Sequence, residues 1–303
     1  MKQNTIALIF DFDITLSPNF QQKVLFDHWN MSEDEFWTKS RANQANGYDM
    51  EHSYLKTLID LGNEDDKYKL SNDDLYQFGK QVVLYDGLSC KDGQKSIFDD
   101  LTDILKEDRY KEHDIKLECY CISGGLTPMI KGALEANKID KYFQDIFACS
   151  MDEDKDGYIN FPKETVGHTI KTQKLFMISK GVLPSLNSNP NDVNKLITSY
   201  RVPFENMIFL GDGQTDIPAF SLLNQYGGTS IAVYREEKNE DGSIDEKATS
   251  KTYEAGYKLA IESKRAEQLL SADYSSGKPL KMALLHNVRK IADKIVLEFK
   301  KQT

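Results

Sequence analysis

The sequence predicts an α/β, doubly wound domain with a mainly parallel sheet and an inserted α-helical cap. Three short apolar runs each end in a polar tip, helical patterns lie between these runs, and one long stretch without strand patterns interrupts them. Strands that alternate with helices are typical of α/β domains, and continuous apolar runs are typical of strands buried on both faces. A length of 303 residues with 40% hydrophobic residues is sufficient for a well-buried core.

The three apolar runs are predicted to be strands of one sheet. They cover residues 6–10, 117–122 and 207–210, and a fourth run at 230–234 lacks a polar tip. In open α/β sheets, ligands bind outside the carboxyl ends of the strands. We therefore expect the three polar tips to meet at one edge of the sheet.

Residues 18–86 are predicted to form a separate helical module, because they show no clear strand pattern. We assign them to a helical cap, and we assign residues 1–17 and 87–303 to the α/β core. The chain is expected to return to the core at residues 84–87. Four helix-like stretches are visible in the cap, at residues 20–29, 33–41, 50–61 and 73–84.

The remaining elements follow from caps and periodicity. Thr127 and Pro128 suit the N-cap and first position of a helix that runs to about residue 136. Asp216 and Pro218 could start another helix that reaches residue 223. A surface loop or hairpin is expected at 235–250 and an amphipathic helix at 283–299; the pattern indicates no role for the region beyond about residue 235.

One acidic stretch, residues 152–159, resembles the first half of a calcium-binding EF-hand loop. Position 12 of such a loop would be Lys163, where a bidentate glutamate is required, and Pro162 would break the exit helix. A polar β-turn around Asp156 and Gly157 is the preferred interpretation.

Composition excludes several classes of function. The net charge of −10 opposes the binding of nucleic acids and of anionic membranes. No run is long enough to span a bilayer, and the N-terminal apolar run is too short for a signal peptide. The four cysteines form no CxxC pair. Reduced thiols fit a cytoplasmic protein, whereas nothing in the sequence indicates an oligomeric state.

The tip of the first predicted strand carries two carboxylates, Asp11 and Asp13. Their alternation places both on the same side of the chain. Two adjacent carboxylates at a buried strand end are costly unless a cation neutralises them, and Mg²⁺ prefers such oxygen ligands. The alternative is a solvated loop with incidental acids.

The residues at the other two strand tips could bind a metal and a phosphate. Asp212, between two glycines after the third strand, can supply a further metal ligand. Ser123 and the backbone N–H of Gly124 precede a predicted helix and suit a phosphate, although an ordinary strand-to-helix turn would look the same. Neither a dinucleotide-binding GxGxxG motif nor a Walker A motif is present.

Together these motifs resemble those of the haloacid dehalogenase superfamily of phosphohydrolases. The family pattern is DxDx[TV], then Ser or Thr after a second strand, then Lys, then GDGxxD. Here the same order is met by residues 11–15, by Ser123, by a lysine and by residues 211–216. The resemblance covers roughly residues 4–17 and 87–235. The position of the helical insert, between the first two motifs, is similar to that in the phosphoserine phosphatase-like branch.

The lysine of the pattern has two candidates, because the family's lysine usually opens the helix before the last motif. Lys171 lies in the first turn of such a predicted helix, whose apolar face contains Leu175 and Ile178. We prefer Lys171 and keep Lys174 as the alternative. Either could instead be a solvated helix lysine.

The resemblance implies roles for these residues. Asp11 would be the covalent nucleophile and Asp13 the acid and base. Thr15, Ser123, Gly124 and Lys171 would bind the phosphoryl group. The metal Mg²⁺ would be held by the Asp11 carboxylate, the Asp13 backbone carbonyl and Asp212. Asp216 would orient the lysine or a water from behind the site.

The implied function is a magnesium-dependent phosphatase that hydrolyses a small phosphorylated metabolite through an aspartyl-phosphate. The alternatives are a phosphomutase of the same superfamily and a non-catalytic binding protein on this fold. A closed cap would favour small metabolites over protein substrates. Arg41 is a weak candidate for a substrate contact, and Trp29 and Trp37 are expected to form the core of the cap itself.

Overall fold

A computed structural model describes residues 3–302. Seven strands form one sheet in the order β4-β3-β2-β1-β5-β6-β7, with bounds β1 Thr5–Phe10, β2 Lys116–Leu126, β3 Phe143–Glu153, β4 Ile159–Glu164, β5 Met207–Gly211, β6 Thr229–Tyr234 and β7 Gln268–Ser271. All neighbouring strands run parallel except β3 and β4, which pair antiparallel. The predicted doubly wound, mainly parallel sheet is confirmed.

Eleven α-helices occur in the described part of the chain. They are α1 Lys23–Trp29, α2 Glu33–Ala45, α3 Met50–Glu64, α4 Asn72–Gly79, α5 Ile97–Leu105, α6 Asp108–Lys111, α7 Thr127–Ala136, α8 His168–Lys180, α9 Ile217–Gln225, α10 Glu246–Gly256 and α11 Pro279–Gln302. Within residues 3–302, no helix is both long and apolar enough to cross a membrane.

Strand β1 lies in the centre of the sheet and is buried on both faces, as a continuous apolar run predicts. Because side chains alternate along a strand, Ile6, Leu8 and Phe10 contribute to one hydrophobic cluster. Ala7 and Ile9 contribute to the cluster on the opposite face, which contains the apolar side chains of α8 and α9. Helices therefore cover both faces of the sheet.

Several predicted boundaries need correction. The last helix of the 18–86 segment ends at Gly79 and not near residue 84. Thr127 is the first residue of α7 and not its N-cap, so Pro128 occupies the second position. The region 235–250 is a loop only up to Asp245, whose side chain accepts a hydrogen bond from the Ala248 N–H and starts α10. The predicted turn is present, since Gly157 adopts a φ of 84° between β3 and β4.

The helical segment 18–86, hereafter the helical insert, packs onto the core through α4 and α7. The two helices approach so closely that a Cβ atom on Gly79 would lie 2.2 Å from the Met129 carbonyl oxygen. In the same way, a Cβ atom on Gly132 would lie 2.2 Å from the Tyr76 carbonyl oxygen. Glycine is required at both positions because the backbones themselves are in contact.

This contact gives a stability prediction. Gly79→Ala is expected to lower the free energy of unfolding by about 1–3 kcal/mol, because the added methyl group forces α4 and α7 apart. The control is Gly62→Ala in α3, where the nearest atom to the new Cβ would be at 3.5 Å. That change should be neutral or stabilising by up to about 1 kcal/mol. Urea unfolding of both variants measures the difference, and equal stabilities would contradict the close packing.

The C-terminal region completes the core. Tyr274 is fully buried; its hydroxyl donates a hydrogen bond to the Thr15 carbonyl oxygen at 2.8 Å. Leu280, Leu284 and Val288 of α11 belong to the same hydrophobic cluster as β1. The sequence indicated no role for the region beyond residue 235. In the structure, this region packs against β1 and contacts the loop of residues 11–15 that follows it.

Candidate active site

The loop after β1 folds back around one carbonyl group. The Phe12 oxygen accepts hydrogen bonds from the N–H groups of Thr15, Leu16 and Ser17, at 3.3, 2.8 and 3.1 Å. Ile14 adopts a φ of 57° in this turn, which is an unfavourable conformation for a β-branched residue. The strained turn places Asp11 and Asp13 beyond the carboxyl end of the sheet.

The tip of β2 is irregular in a way that suits a ligand. Its register with β3 shifts between Ile122 and Leu126, so Ser123, Gly124 and Gly125 bulge out of the ladder. The Ser123 Oγ accepts a hydrogen bond from the Gly125 N–H at 3.1 Å. The bulge turns Ser123 and Gly124 toward the Asp11 edge.

The tip of β5 holds the third group of predicted residues. Asp216 is fully buried, and its Oδ2 accepts a hydrogen bond from the Gly213 N–H at 3.0 Å. A Cβ atom on Gly211 would lie 2.3 Å from the same Oδ2, so only glycine fits there. Asp212 projects from this tight turn into the space beside Asp11.

Lys171 joins two of the tips. Its Nζ lies 2.8 Å from Asp11 Oδ2 and 2.7 Å from Asp216 Oδ1, and the side chain is fully buried. Burial alone would lower the pKa of Lys171, but the two carboxylates outweigh it and raise that pKa above its ordinary value. Lys174 instead pairs with Glu164 at 2.6 Å, outside the site. The structure thus brings Lys171, and not Lys174, to the predicted site.

The site carries an excess of negative charge. Ligand oxygens of Asp11, Asp212 and Asp216 lie within 4.8 Å of one another. Burial, together with the charges of Asp11 and Asp216, raises the pKa of Asp212 well above its ordinary value. Lys171 neutralises part of this charge. A hard divalent cation, which takes oxygen ligands, fits the remainder.

Asp13 faces a neighbour that the sequence did not indicate. Its Oδ1 accepts a hydrogen bond from the Gln21 N–H at 2.8 Å, while Gln21 Oε1 accepts one from the Leu126 N–H at 2.9 Å. Burial and the nearby Asp11 charge raise the pKa of Asp13 to about 7. A carboxyl group with such a pKa can both donate and accept a proton near neutral pH.

A cavity of about 540 Å³ opens above these residues, between the sheet edge and the helical insert. Asp11, Asp13, Ser123, Gly124 and Asp212 line its floor. Three other predicted residues lie beneath the floor, since they are fully buried and do not line the cavity, namely Thr15, Lys171 and Asp216. The side chains of Thr15 and Lys171 do not line the cavity, and their predicted contacts with a phosphoryl group stay predictions.

The insert supplies the opposite wall, including residues that the sequence analysis missed. Glu51 and Tyr54 of α3 line the cavity, and the Tyr54 hydroxyl donates a hydrogen bond to the Gly124 carbonyl oxygen at 2.7 Å. Trp37 also lines it while packing against Phe20, so this ring is not confined to the interior of the insert. Arg41 reaches the wall but pairs with Asp34 at 3.1 Å. Neither Glu51 nor Tyr54 belongs to a recognisable motif. Their spacing of three residues, which places both on one face of a helix, was the only signal in the sequence.

Comparison with solved structures gives distant similarities. A haloacid dehalogenase family hydrolase from Salmonella enterica serovar Typhi is 17% identical with a TM-score of 0.47, and the match covers 77% of this chain and 63% of that one. A phosphoserine phosphatase in apo form is 15% identical with a TM-score of 0.49, covering 88% and 92%. Cytosolic 5′-nucleotidase IIIB bound to cytidine is 13% identical with a TM-score of 0.47, covering 96% and 88%.

Comparison of sequences is more decisive. An uncharacterized protein of Borreliella burgdorferi is 29% identical, over 84% of this chain and 93% of that protein. The family model for haloacid dehalogenase-like hydrolases matches residues 7–223, which include every motif described above. This match confirms the family that the motifs predicted. The chain belongs to the haloacid dehalogenase-like hydrolases.

Proposed function

We propose that this protein is a magnesium-dependent phosphatase that hydrolyses a small phosphate monoester through an aspartyl-phosphate on Asp11. The observation that carries the proposal is the buried contact of Lys171 with Asp216 and with Asp11, which lines the floor of the cavity. An ion pair of this kind holds a nucleophilic carboxylate in place beside Asp13, whose pKa of about 7 suits proton transfer.

The proposed reaction has two steps. An Asp11 oxygen attacks phosphorus and the ester P–O bond breaks, while Asp13 gives its proton to the leaving alcohol oxygen. In the second step Asp13 takes a proton from water. The water oxygen then attacks phosphorus, the bond between Asp11 and phosphorus breaks, and inorganic phosphate leaves. Both aspartates return to their initial states.

The groups around Asp11 and Asp13 would bind the metal and the phosphoryl oxygens and hold Lys171 in place. Asp11, Asp212 and the Asp13 backbone carbonyl would hold Mg²⁺, which when bound shields Asp11 from the anionic phosphate and offsets charge on the transferred group. Ser123 and the Gly124 N–H would bind phosphoryl oxygens. Asp216 positions Lys171, as its 2.7 Å contact supports.

The helical insert is proposed to act as the cap over this site. Its α2 and α3 form the wall of the cavity opposite the catalytic aspartates. Its place in the chain, between the first two motifs, supports assignment to the phosphoserine phosphatase-like branch. A cavity of about 540 Å³ suits a small phosphorylated metabolite.

The test is an assay of p-nitrophenyl phosphate hydrolysis, in which the release of inorganic phosphate is measured. Activity should be lost in EDTA and restored by Mg²⁺. Asp212→Asn should raise the Mg²⁺ concentration for half-maximal activity by at least about 10-fold, because a ligand charge is lost. Activity that persists in EDTA would contradict the metal requirement. Return of the phosphoryl group to another hydroxyl of the substrate, without release of phosphate, would identify a phosphomutase instead.

A further inference from the structure

The wall of the cavity contains a carboxylate that the proposed chemistry does not use. Glu51 of α3 is only 7% exposed, and its side chain makes no hydrogen bond or ion pair with any residue that the structure describes. Its carboxylate lies over the β2 tip, since Oε1 would be 3.7 Å from a Cβ atom on Gly124. An unpaired buried carboxylate is costly.

One partial compensation comes from α8. A Cβ atom on Gly167, the N-cap of that helix, would lie 2.6 Å from Glu51 Oε2. The positive end of the helix dipole therefore favours the carboxylate, but amounts to only about half a unit charge. No N–H of the described chain donates to Glu51, so most of the charge is left for a group in the cavity.

The charges around the cavity are not balanced. Among the described residues that line it, four are acidic and one, Arg41, is basic. The guanidinium of Arg41 already contacts Asp34 and the Thr38 hydroxyl, at 3.1 and 2.7 Å. Asp11 and Asp212 belong to the carboxylate cluster that suits a metal, whereas Glu51 does not. Its charge is therefore left for a group other than the metal.

Neighbouring groups on the wall suit a cation. Gln22 Oε1 and Ser40 Oγ are buried, can accept hydrogen bonds and have no partner within the described chain. Aromatic rings of Phe20, Trp37 and Tyr54 line the same wall. A protonated amine can donate to several oxygens, and aromatic faces attract positive charge.

We infer that the substrate is a phosphate monoester whose alcohol part carries an ammonium group and no carboxylate, with Glu51 as the counter-ion of that ammonium. The inference rests on the proposed phosphatase function and deepens it. A carboxylate on the alcohol part would meet the same acidic wall, where the one basic side chain among the described lining residues, Arg41, is paired with Asp34. Substrates of the amino-acid type are accordingly disfavoured.

The test compares pairs of esters that differ only in charge. 2-Aminoethyl phosphate and propyl phosphate are nearly isosteric, and phosphoserine adds a carboxylate to the first of them. With Mg²⁺, kcat/KM for 2-aminoethyl phosphate should exceed that for propyl phosphate by about 10- to 100-fold, as expected of a hydrogen bond between charged groups. Phosphoserine should fall well below 2-aminoethyl phosphate. Choline phosphate, compared with 3,3-dimethylbutyl phosphate, shows whether N–H donors are needed besides the charge.

Glu51→Gln should bring the ratio for 2-aminoethyl over propyl phosphate close to one. The matched control is Glu64→Gln at the exposed end of α3, which removes the same charge away from the cavity and should leave the ratio unchanged. An equal fall of kcat/KM for all esters in Glu51→Gln would mean that Glu51 only holds the helical insert against α8. That result would overturn the inference.

The wild-type ratio needs no variant, so the inference stays testable even if Glu51→Gln does not fold. A wild-type ratio near one, with p-nitrophenyl phosphate still hydrolysed, would overturn the inference and leave the phosphatase function intact. Absence of hydrolysis of every ester would overturn both.

Discussion

Asp11→Asn is expected to lower kcat for phosphate ester hydrolysis by about 10⁴-fold or more, because the amide cannot serve as the nucleophile. The substitution is nearly isosteric, so the N–H of Phe12 can still donate to the side-chain oxygen at position 11, as it does now at 2.7 Å. Steady-state assays with Mg²⁺ measure the loss. Retention of activity above a few percent would contradict the assignment of Asp11.

A control and a second readout separate chemistry from folding. Asp27→Asn removes an exposed carboxylate that pairs with Lys23, and should leave kcat unchanged. Asp13→Asn should lose turnover but keep the nucleophile. Acid-quenched protein should then carry a phosphoryl group in the Asp13→Asn variant and none in Asp11→Asn. Labelling of Asp11→Asn would place the nucleophile elsewhere.

Lys171→Met is expected to lower the free energy of unfolding in metal-free buffer by about 3–5 kcal/mol, because it leaves buried carboxylates without a counter-ion. Asp216 is fully buried and Asp11 nearly so; both contact the lysine at less than 3 Å. The same change should abolish activity, since Lys171 also holds Asp11. Urea unfolding and the hydrolysis assay measure the two effects.

Lys174→Met is the matched control in the same helix. Lys174 pairs with Glu164, whose side chain is 46% exposed, so water can solvate the carboxylate that remains. We expect a loss of at most about 1 kcal/mol and near-normal kcat. If the two variants were equally destabilised or equally inactive, the distinct role of Lys171 would be wrong.

Much of this fold could be predicted because its signals are local. The run before Asp11 is apolar at every position, which indicates a strand buried on both faces, and β1 is such a strand. Asp212 was predicted to follow a strand and to precede a helix, and it lies between β5 and α9. Helix ends were less predictable, because α4 ends where Gly79 contacts α7, a constraint that lies 50 residues away in the chain.

The site could be predicted only in part. Lys171 and Lys174 lie in the same helix, and the position of Lys171 in its first turn favoured Lys171 without excluding Lys174. The packing of α8 on the sheet decided the question, because it buries Lys171 between two carboxylates and directs Lys174 to Glu164. Gln21 was missed for a similar reason, since its role depends on a contact with Leu126 more than 100 residues away.

The family, the sheet and the residues at its strand tips could be predicted because each is encoded in a short run with a characteristic pattern. The lysine that reaches Asp11, and the contact of the C-terminal region with Thr15, could be identified only in the folded chain. In the folded chain, Glu51 also lines the cavity without a hydrogen-bond or ion-pair partner among residues 3–302. These properties depend on distance and solvent exclusion between remote segments. Composition and periodicity do not record either quantity.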